Sequence, residues 1–264
     1  MSQTPSALTI AGLDPSGGAG LTADIKTLHQ HQVYGMAVAT LISVQNTQTL
    51  KRVELLAPHL VAEQIDAVLG DIPPDAVKIG ALGSAAIVEI VAMRTSHLHC
   101  PLVVDPVMVS KHGYVLLPSD AVQVLISRLL PVLTLLTPNT HEAAALLGGH
   151  PVTTLAQARD AARRIGDMGP KAVLVKGGHL KGDATDVLLY GGQLYEFSAP
   201  RIPSTHTHGT GCAYSAAITA WLALGYQLPE AVERAKTWLT TAIQTPPHVG
   251  RGTGPINLVT PISF

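Results

Sequence analysis

The chain has 264 residues, of which 47% are apolar and 13% charged, so it can bury a core of full domain size and does not have the composition of a disordered chain. Lys and Arg number 17 against 18 acidic residues, and aromatics make up only 4%. That balance excludes a basic footprint for nucleic acid and leaves few platforms for stacking bases, so the expected partners are small molecules. The most apolar runs, such as "VLISRLLPVLTLL", are broken by Arg128 and Pro131 before the ~20 residues of a membrane span. Cys100 and Cys212 are the only cysteines, with neither a secretory leader nor disulfide-dense spacing. A reduced, cytoplasmic chain with no membrane contact is expected.

Short runs rich in Val, Ile and Leu alternate with longer segments of helical period, the pattern of parallel strands buried between helices. The first strand is predicted at 7–12 ("ALTIAG") and leads through "GLDPSGGAGLTAD" into a helix at 20–31. Glycines just ahead of a helix leave backbone N–H groups free for a polar ligand, although an ordinary tight turn would use them too. The stretch is not a P-loop, because no Lys-Ser/Thr follows, and it lacks GxGxxG spacing. Asp24 is conspicuous as a carboxylate inside an otherwise apolar helix.

A strand at 36–44 ends in "SVQNT", and a helix at 58–69 precedes the strand 75–80. After a helix at 84–95, the strand 101–105 ends in "DPVM", where Asp105 closes an apolar run and needs a metal, a lysine or another satisfying partner. A helix at 119–130 and a strand at 133–137 lead to "TPNTHEAAALL". Asn139 and Glu142 there fit both an ordinary helix cap and the carboxylate support of Mg²⁺ through its waters. Helices follow at 140–147 and 154–168, flanking no linker or repeat, and then the strand 172–177, from whose end Lys176 emerges as a point charge suited to phosphate.

Beyond Gly178 the rhythm changes to a hairpin turning at Gly191 and Gly192, an antiparallel edge, followed by helices at 212–224 and 229–243. The expected architecture is an α/β/α sandwich in a single domain over 1–264. Ligands in such sheets sit beyond the carboxyl ends of the strands, which gathers the glycine, polar and charged segments at one rim. Spaced histidine pairs such as His206 and His208 lack the further ligands of a zinc site and read as solvated or locally hydrogen-bonded.

"THTHGTGCAYSAA" (205–217) places Gly209 and Gly211 at the mouth of an apolar helix, where backbone amides and the positive end of the dipole favour an anion. The same field is expected to lower the pKa of Cys212 from its free value of about 8.5, the alternative being an inert core cysteine. A lysine, acidic metal holders and an anion hole together describe phosphoryl transfer.

The segments "ALTIAGLDPSGGAGLTADIKT", "SVQNT", "KIGALG", "VVDPVM", "TPNTHEAAALL", "LVKGGH" and "THGTGC" resemble, in this order and nearly end to end, the bacterial hydroxymethylpyrimidine and hydroxymethylpyrimidine phosphate kinases of thiamine biosynthesis. These belong to the ribokinase-like superfamily. The resemblance implies a ribokinase-like α/β fold with a mostly parallel sheet and an enzyme that uses MgATP to phosphorylate 4-amino-5-hydroxymethyl-2-methylpyrimidine and then its monophosphate. It makes Cys212 the group that activates the hydroxyl, where the wider superfamily carries an aspartate. Gly209, Thr210 and Gly211 become the anion hole, and Lys176, Asn139, Thr205 and Thr207 the nucleotide contacts. Glu142 and Asp105 become Mg²⁺ support, and Gly12, Asp24, Gln45 and Val107 the pyrimidine site. A homodimer is also implied. Ala81, His112 and His206 depart from the common methionine, serine and asparagine of the family without touching those positions. A pyridoxal or pyridoxine kinase is the nearest alternative, and a catalytically silent ligand-binding relative is the second.

Overall fold

The computed structural model describes residues 4–262; residues 1–3 and 263–264 of the expected domain lie outside the described residues. The first strand, β1 (Ser6–Leu13), is buried on both faces, with Leu8 and Ile10 on one side and Ala7 and Thr9 on the other. It leads to α1 (Gly20–Gln30), then β2 (Tyr34–Gln45), β3 (Leu50–Leu55), α2 (Pro58–Asp71), β4 (Ala76–Ile79), α3 (Ala85–Thr95) and β5 (Leu102–Val104). There follow α4 (Ser119–Val124), β6 (Leu135–Leu136), α5 (Thr140–Leu146), α6 (Leu155–Gly166), β7 (Ala172–Val175), β8 (Ala184–Tyr190), β9 (Gln193–Ala199), α7 (Thr210–Ala223) and α8 (Leu228–Gln244). Among the described residues the strands form one nine-stranded sheet in the order β3-β2-β1-β4-β5-β6-β7-β8-β9.

The six strands from β2 to β7 run parallel, whereas β3 at one edge and the β8–β9 hairpin at the other are antiparallel. The hairpin turns at Gly191 and Gly192, both at positive φ (57° and 77°), the backbone that a two-residue turn between twisted strands requires. Two cores result. Leu8, Ile10, Val104 and Val175 face helices α2 to α6, and Val103, Leu135 and Leu174 face α7 and α8 with Ala23 of α1. Burial of α7 on almost every side explains why its sequence is apolar all round.

Three elements differ from expectation. The edge strand β3 was not predicted, because "LKRVEL" is charged and mostly exposed, as suits an edge protected from further pairing. The helix expected over 119–130 changes pitch instead, passing from α4 into a π-helical turn (Leu125–Leu129) and a 3₁₀ turn (Leu130–Val132) at Pro131. The strand expected at 133–137 keeps only two ladder residues.

The chain leaves β1 toward β2 on one side and returns to β4 on the other, so the strand order reverses at β1 and opens a crevice at the carboxyl ends.

On the α1 side, His31 is fully buried against Trp221 and Trp238, with ring centroids at 5.5 and 5.0 Å. Its Nδ1 donates to the Thr27 carbonyl at 2.7 Å, and Nε2 has no hydrogen-bond partner. Burial pushes the imidazole down to about 4 from 6.5. The unfolded chain therefore takes up the proton first on acidification, so this stability is complete above about pH 6.5 and is lost as pH falls toward 4. His31→Phe is expected to remove about 3 kcal/mol of the stability difference between pH 7 and pH 4, measured by urea unfolding at both pH values against the parent chain.

Candidate functional site

A cleft of about 870 Å³ opens at the carboxyl ends of the parallel strands and is lined by Gly12, Asp14, Gln45, Lys78, Asp105, Val107, Asn139, Glu142, Lys176 and the segment Thr207–Cys212. Its size is that of a small-molecule or cofactor site.

The loop after β1 is folded around Asp14. One carboxylate oxygen accepts from the Ser16 amide and hydroxyl at 2.8 and 2.7 Å, and the other from the Ala19 amide at 2.9 Å and the His208 ring at 2.8 Å. Burial alone would raise the Asp14 carboxyl, but hydrogen bonds from His208 and Ser16 outweigh it and hold the group at about 2. The two glycine-rich segments, remote in sequence, are thereby fastened together. His208 is neither solvated nor locally bonded, against the expectation from its spacing: it is buried, and its partner is 194 residues away.

Helix α7 begins directly against this loop. Its N-cap, Gly209, has φ +75°, and a Cβ there would collide with the Gly18 carbonyl. The hydroxyl of Thr210 donates to the Thr207 carbonyl at 2.8 Å, and the first intrahelical bond is Ala213 N–H to Gly209 at 2.9 Å. The Thr210 amide donates to the Thr207 carbonyl at 3.4 Å, whereas the amides of Gly211 and Cys212 precede the helical ladder at the cleft, in position for an anion. A Cβ on Gly211 would lie 3.3 Å from Lys176 Nζ and 3.4 Å from Asp105 Oδ2, so that residue type keeps the charged pair accessible to the helix start.

Cys212 keeps a partly accessible face to the cleft and accepts a hydrogen bond from the Gly20 amide. The lowered thiol pKa expected from the helix dipole is not what the site produces. Burial pushes the thiol up to about 11, against the opposing pull of Lys78. The surrounding protein removes more hydration from a thiolate than the nearby positive charge restores.

Lys176 is no surface lysine: its Nζ lies 2.5 Å from Asp105 Oδ1, with the two side chains 12% and 3% exposed. The partner that Asp105 required is therefore this lysine, supplemented by the Thr137 hydroxyl at 3.4 Å. Asn139 and Glu142 form a reciprocal capping box on α5, with Asn139 Oδ1 accepting from the Glu142 amide at 2.9 Å and Glu142 Oε2 accepting from the Asn139 amide at 2.7 Å. Capping does not remove Glu142 from the cleft, where burial raises its carboxyl to about 7 beside Lys176 and Asp105. Among the described residues no three His, Cys, Asp or Glu side chains converge as a metal cage.

Gly12, Gln45 and Val107 line the cleft at the ends of three strands. Asp24 does not. Its carboxylate is completely buried: Oδ2 accepts from Lys78 Nζ and Thr9 Oγ1, each at 2.7 Å, and Oδ1 has no hydrogen-bond partner among the described residues. Lys78, which sequence reasoning missed, occupies the floor instead. A lysine within the apolar strand "AVKI" was the available signal, since a charge there demands a partner. Thr205 is exposed and outside the cleft, whereas Thr207 lines it and accepts from Lys111 at 3.2 Å.

The phosphomethylpyrimidine kinase family model matches residues 14–257. The chain belongs to the phosphomethylpyrimidine kinase family. A hydroxymethylpyrimidine/phosphomethylpyrimidine kinase of Synechococcus elongatus is 45% identical over 98% of each chain. The thiamine biosynthesis bifunctional protein ThiED of Geobacter sulfurreducens is 46% identical over 96% of this chain, which spans about half (52%) of that longer relative. Among solved structures, Bacillus subtilis pyridoxal kinase in an ADP complex superposes with a TM-score of 0.90 at 34% identity, over 98% of each chain. Phosphomethylpyrimidine kinase of Clostridium difficile gives 0.79 at 41% identity, over 90% of this chain and 99% of that one. The fold is the ribokinase-like one of these neighbours, and the chain is a phosphotransferase of this kinase family.

Because Gly209 is both left-handed and pressed on the Gly18 carbonyl, Gly209→Ala is expected to destabilise the protein by ~2 kcal/mol or more, read as a lowered urea midpoint. An unchanged midpoint would mean that the junction of the two glycine loops relaxes freely.

Proposed function

We propose that the chain is an ATP-dependent kinase of thiamine biosynthesis that phosphorylates 4-amino-5-hydroxymethyl-2-methylpyrimidine at its hydroxymethyl group and then phosphorylates the resulting monophosphate. The observation that carries this reading is the convergence of Cys212, the amides at the start of α7 and the Lys176–Asp105 pair on one cleft, in a member of the phosphomethylpyrimidine kinase family. Gly12, Gln45 and Val107 form the pyrimidine end; the amide of Gln45 offers donor and acceptor to the aminopyrimidine edge.

In the transfer step Cys212 accepts the hydroxyl proton as the substrate oxygen bonds to the γ-phosphorus and the bond to the departing ADP breaks. The amides of Gly211 and Cys212 at the start of α7 donate to the phosphoryl oxygens as their charge redistributes, with Gly209 and Thr210 shaping the turn that presents them, and Lys176 offsets the charge of the nucleotide phosphates. The hard oxygen groups of Asp105 and Glu142 fit Mg²⁺ held mainly by phosphate oxygens and water, and the ion would neutralise phosphate charge. Asn139 and Thr207 lie at the nucleotide end of the cleft. The reading extends to one cytoplasmic domain acting as a homodimer; apolar Ile42, Val44 and Leu55, exposed near the β3 edge, support self-association.

Pyridoxal kinase is the second reading, favoured by the 0.90 superposition on the Bacillus subtilis enzyme. Sequence identity of 45% to the Synechococcus elongatus kinase against 34% to that enzyme favours the pyrimidine. Rates on hydroxymethylpyrimidine, its monophosphate and pyridoxal test the choice, and turnover of pyridoxal alone would overturn it. Cys212→Ala is expected to lower kcat by ~10²–10⁴ while nucleotide affinity, measured by calorimetry, stays within a few fold. Lys176→Ala is expected to raise KM for ATP as well as lowering turnover, because the missing charge faces the phosphates.

A further inference from the structure

Asp105 holds the ammonium of Lys176, but where that ammonium can lie also depends on how the main chain leaves β7. On the β6 side the Lys176 amide donates to the Pro138 carbonyl at 2.8 Å. On the β8 side the ladder stops at Val175 and Val187, and Gly177 is held in another way. Its amide donates at 2.8 Å to a side chain of β8, Oδ1 of Asp186. A Cβ on Gly177 would collide with the Thr185 carbonyl, so the turn is pressed on β8 where the carboxylate takes hold.

This acceptor is costly in desolvation. Asp186 is 2% exposed, and its other oxygen accepts at 2.7 Å from Nζ of Lys236 on α8, a lysine 9% exposed. Two ions are withdrawn from water where a neutral acceptor would satisfy one amide, and a buried pair adds little net stability over apolar residues. What the carboxylate adds is a charge-assisted bond, roughly twice as strong as a neutral one, and with it a turn held in one geometry. Lys236 brings the compensating charge from a helix whose Thr240 and Ile243 line the same cleft.

We infer that Asp186 is a positioning residue for phosphoryl transfer: it fixes the Gly177 turn, and through that turn holds Lys176 at the phosphate end of the cleft, while Lys236 balances its charge. Asp105 sets the direction of the Lys176 side chain, and Asp186 sets the place of the backbone that carries it. The inference rests on the proposed contact of Lys176 with the nucleotide phosphates.

The test measures dissociation constants for MgATP and for hydroxymethylpyrimidine by calorimetry, in variants shown by urea unfolding to be folded. Asparagine has a single acceptor oxygen, and in Asp186→Asn the Lys236 ammonium competes for it, turning the donor NH₂ toward the Gly177 amide. That variant is expected to weaken MgATP about tenfold, the scale of a buried donor left unpaired. Hydroxymethylpyrimidine is expected to stay within about twofold, as for sites that do not interact. Adding Lys236→Met frees the oxygen for Gly177 and is expected to restore MgATP to within about threefold of the parent. The second substitution thus repairs the first, which a general loss of packing would not do. Parental MgATP affinity in Asp186→Asn, or a double variant no better than the single one, overturns the inference.

A Lys176→Ala background then identifies the route. Asp186→Asn with no further loss of MgATP affinity there supports positioning through Lys176, whereas a full additional loss means that Asp186 acts on the nucleotide otherwise and overturns it. Unchanged MgATP affinity in Lys176→Ala itself removes the phosphate reading of Lys176 and this inference together. Weakened binding in Lys176→Ala beside a silent Asp186→Asn removes the inference alone. If Asp186→Asn does not fold, Asp186→Val with Lys236→Met, which leaves Gly177 without an acceptor, carries the test: about tenfold weaker MgATP supports the inference, and parental affinity overturns it.

Discussion

Burying positive charge at the carboxyl ends of apolar strands is the constraint on which the rest of the site depends. Lys78 and Lys176 are both largely removed from water, each against a carboxylate, Asp24 at 2.7 Å and Asp105 at 2.5 Å. Desolvating an ion costs several kcal/mol, so neither lysine could occupy its place with its partner removed. The carboxylates in turn dictate where helix α1 and the loop after β5 must lie. Placement of charge and placement of backbone are one problem here.

The glycine segments solve the complementary problem of bringing backbone close to those charges. Gly20 and Gly209 adopt positive φ where a side chain would strike the Gly12 and Gly18 carbonyls, so the two loops pack main chain against main chain. Asp14 then fastens them by accepting from Ser16, Ala19 and His208 at once. The amides at the start of α7 and the Gly20 amide near Cys212 are held by this junction, without any side-chain cap on α1 or α7. The polar end of α7 is the single break in a helix otherwise buried on nearly all sides.

Much of this was legible in the sequence because it is local. Period and strand-end punctuation located the parallel strands, and "NTHE" announced a cap that the structure completes reciprocally. The edge strand β3 escaped because its residues answer to solvent more than to a core. Asp24 was noticed for a sound reason, a carboxylate in an apolar helix, and the partner that holds it is a lysine 54 residues away. Lys78 carried the matching signal in "AVKI", and the two become mutually intelligible only once β1 and β4 are known to be neighbours.

By itself the sequence determined the order of strands and helices, the carboxyl-end rim and the residue types that meet there, because periodicity, glycine placement and capping act over a few residues. The tertiary structure alone decided which charges pair, which carboxylate reaches the cleft and how strongly Cys212 holds its proton. Those properties depend on desolvation and on distances between groups far apart in the chain, and both are set only when the layers close on one another.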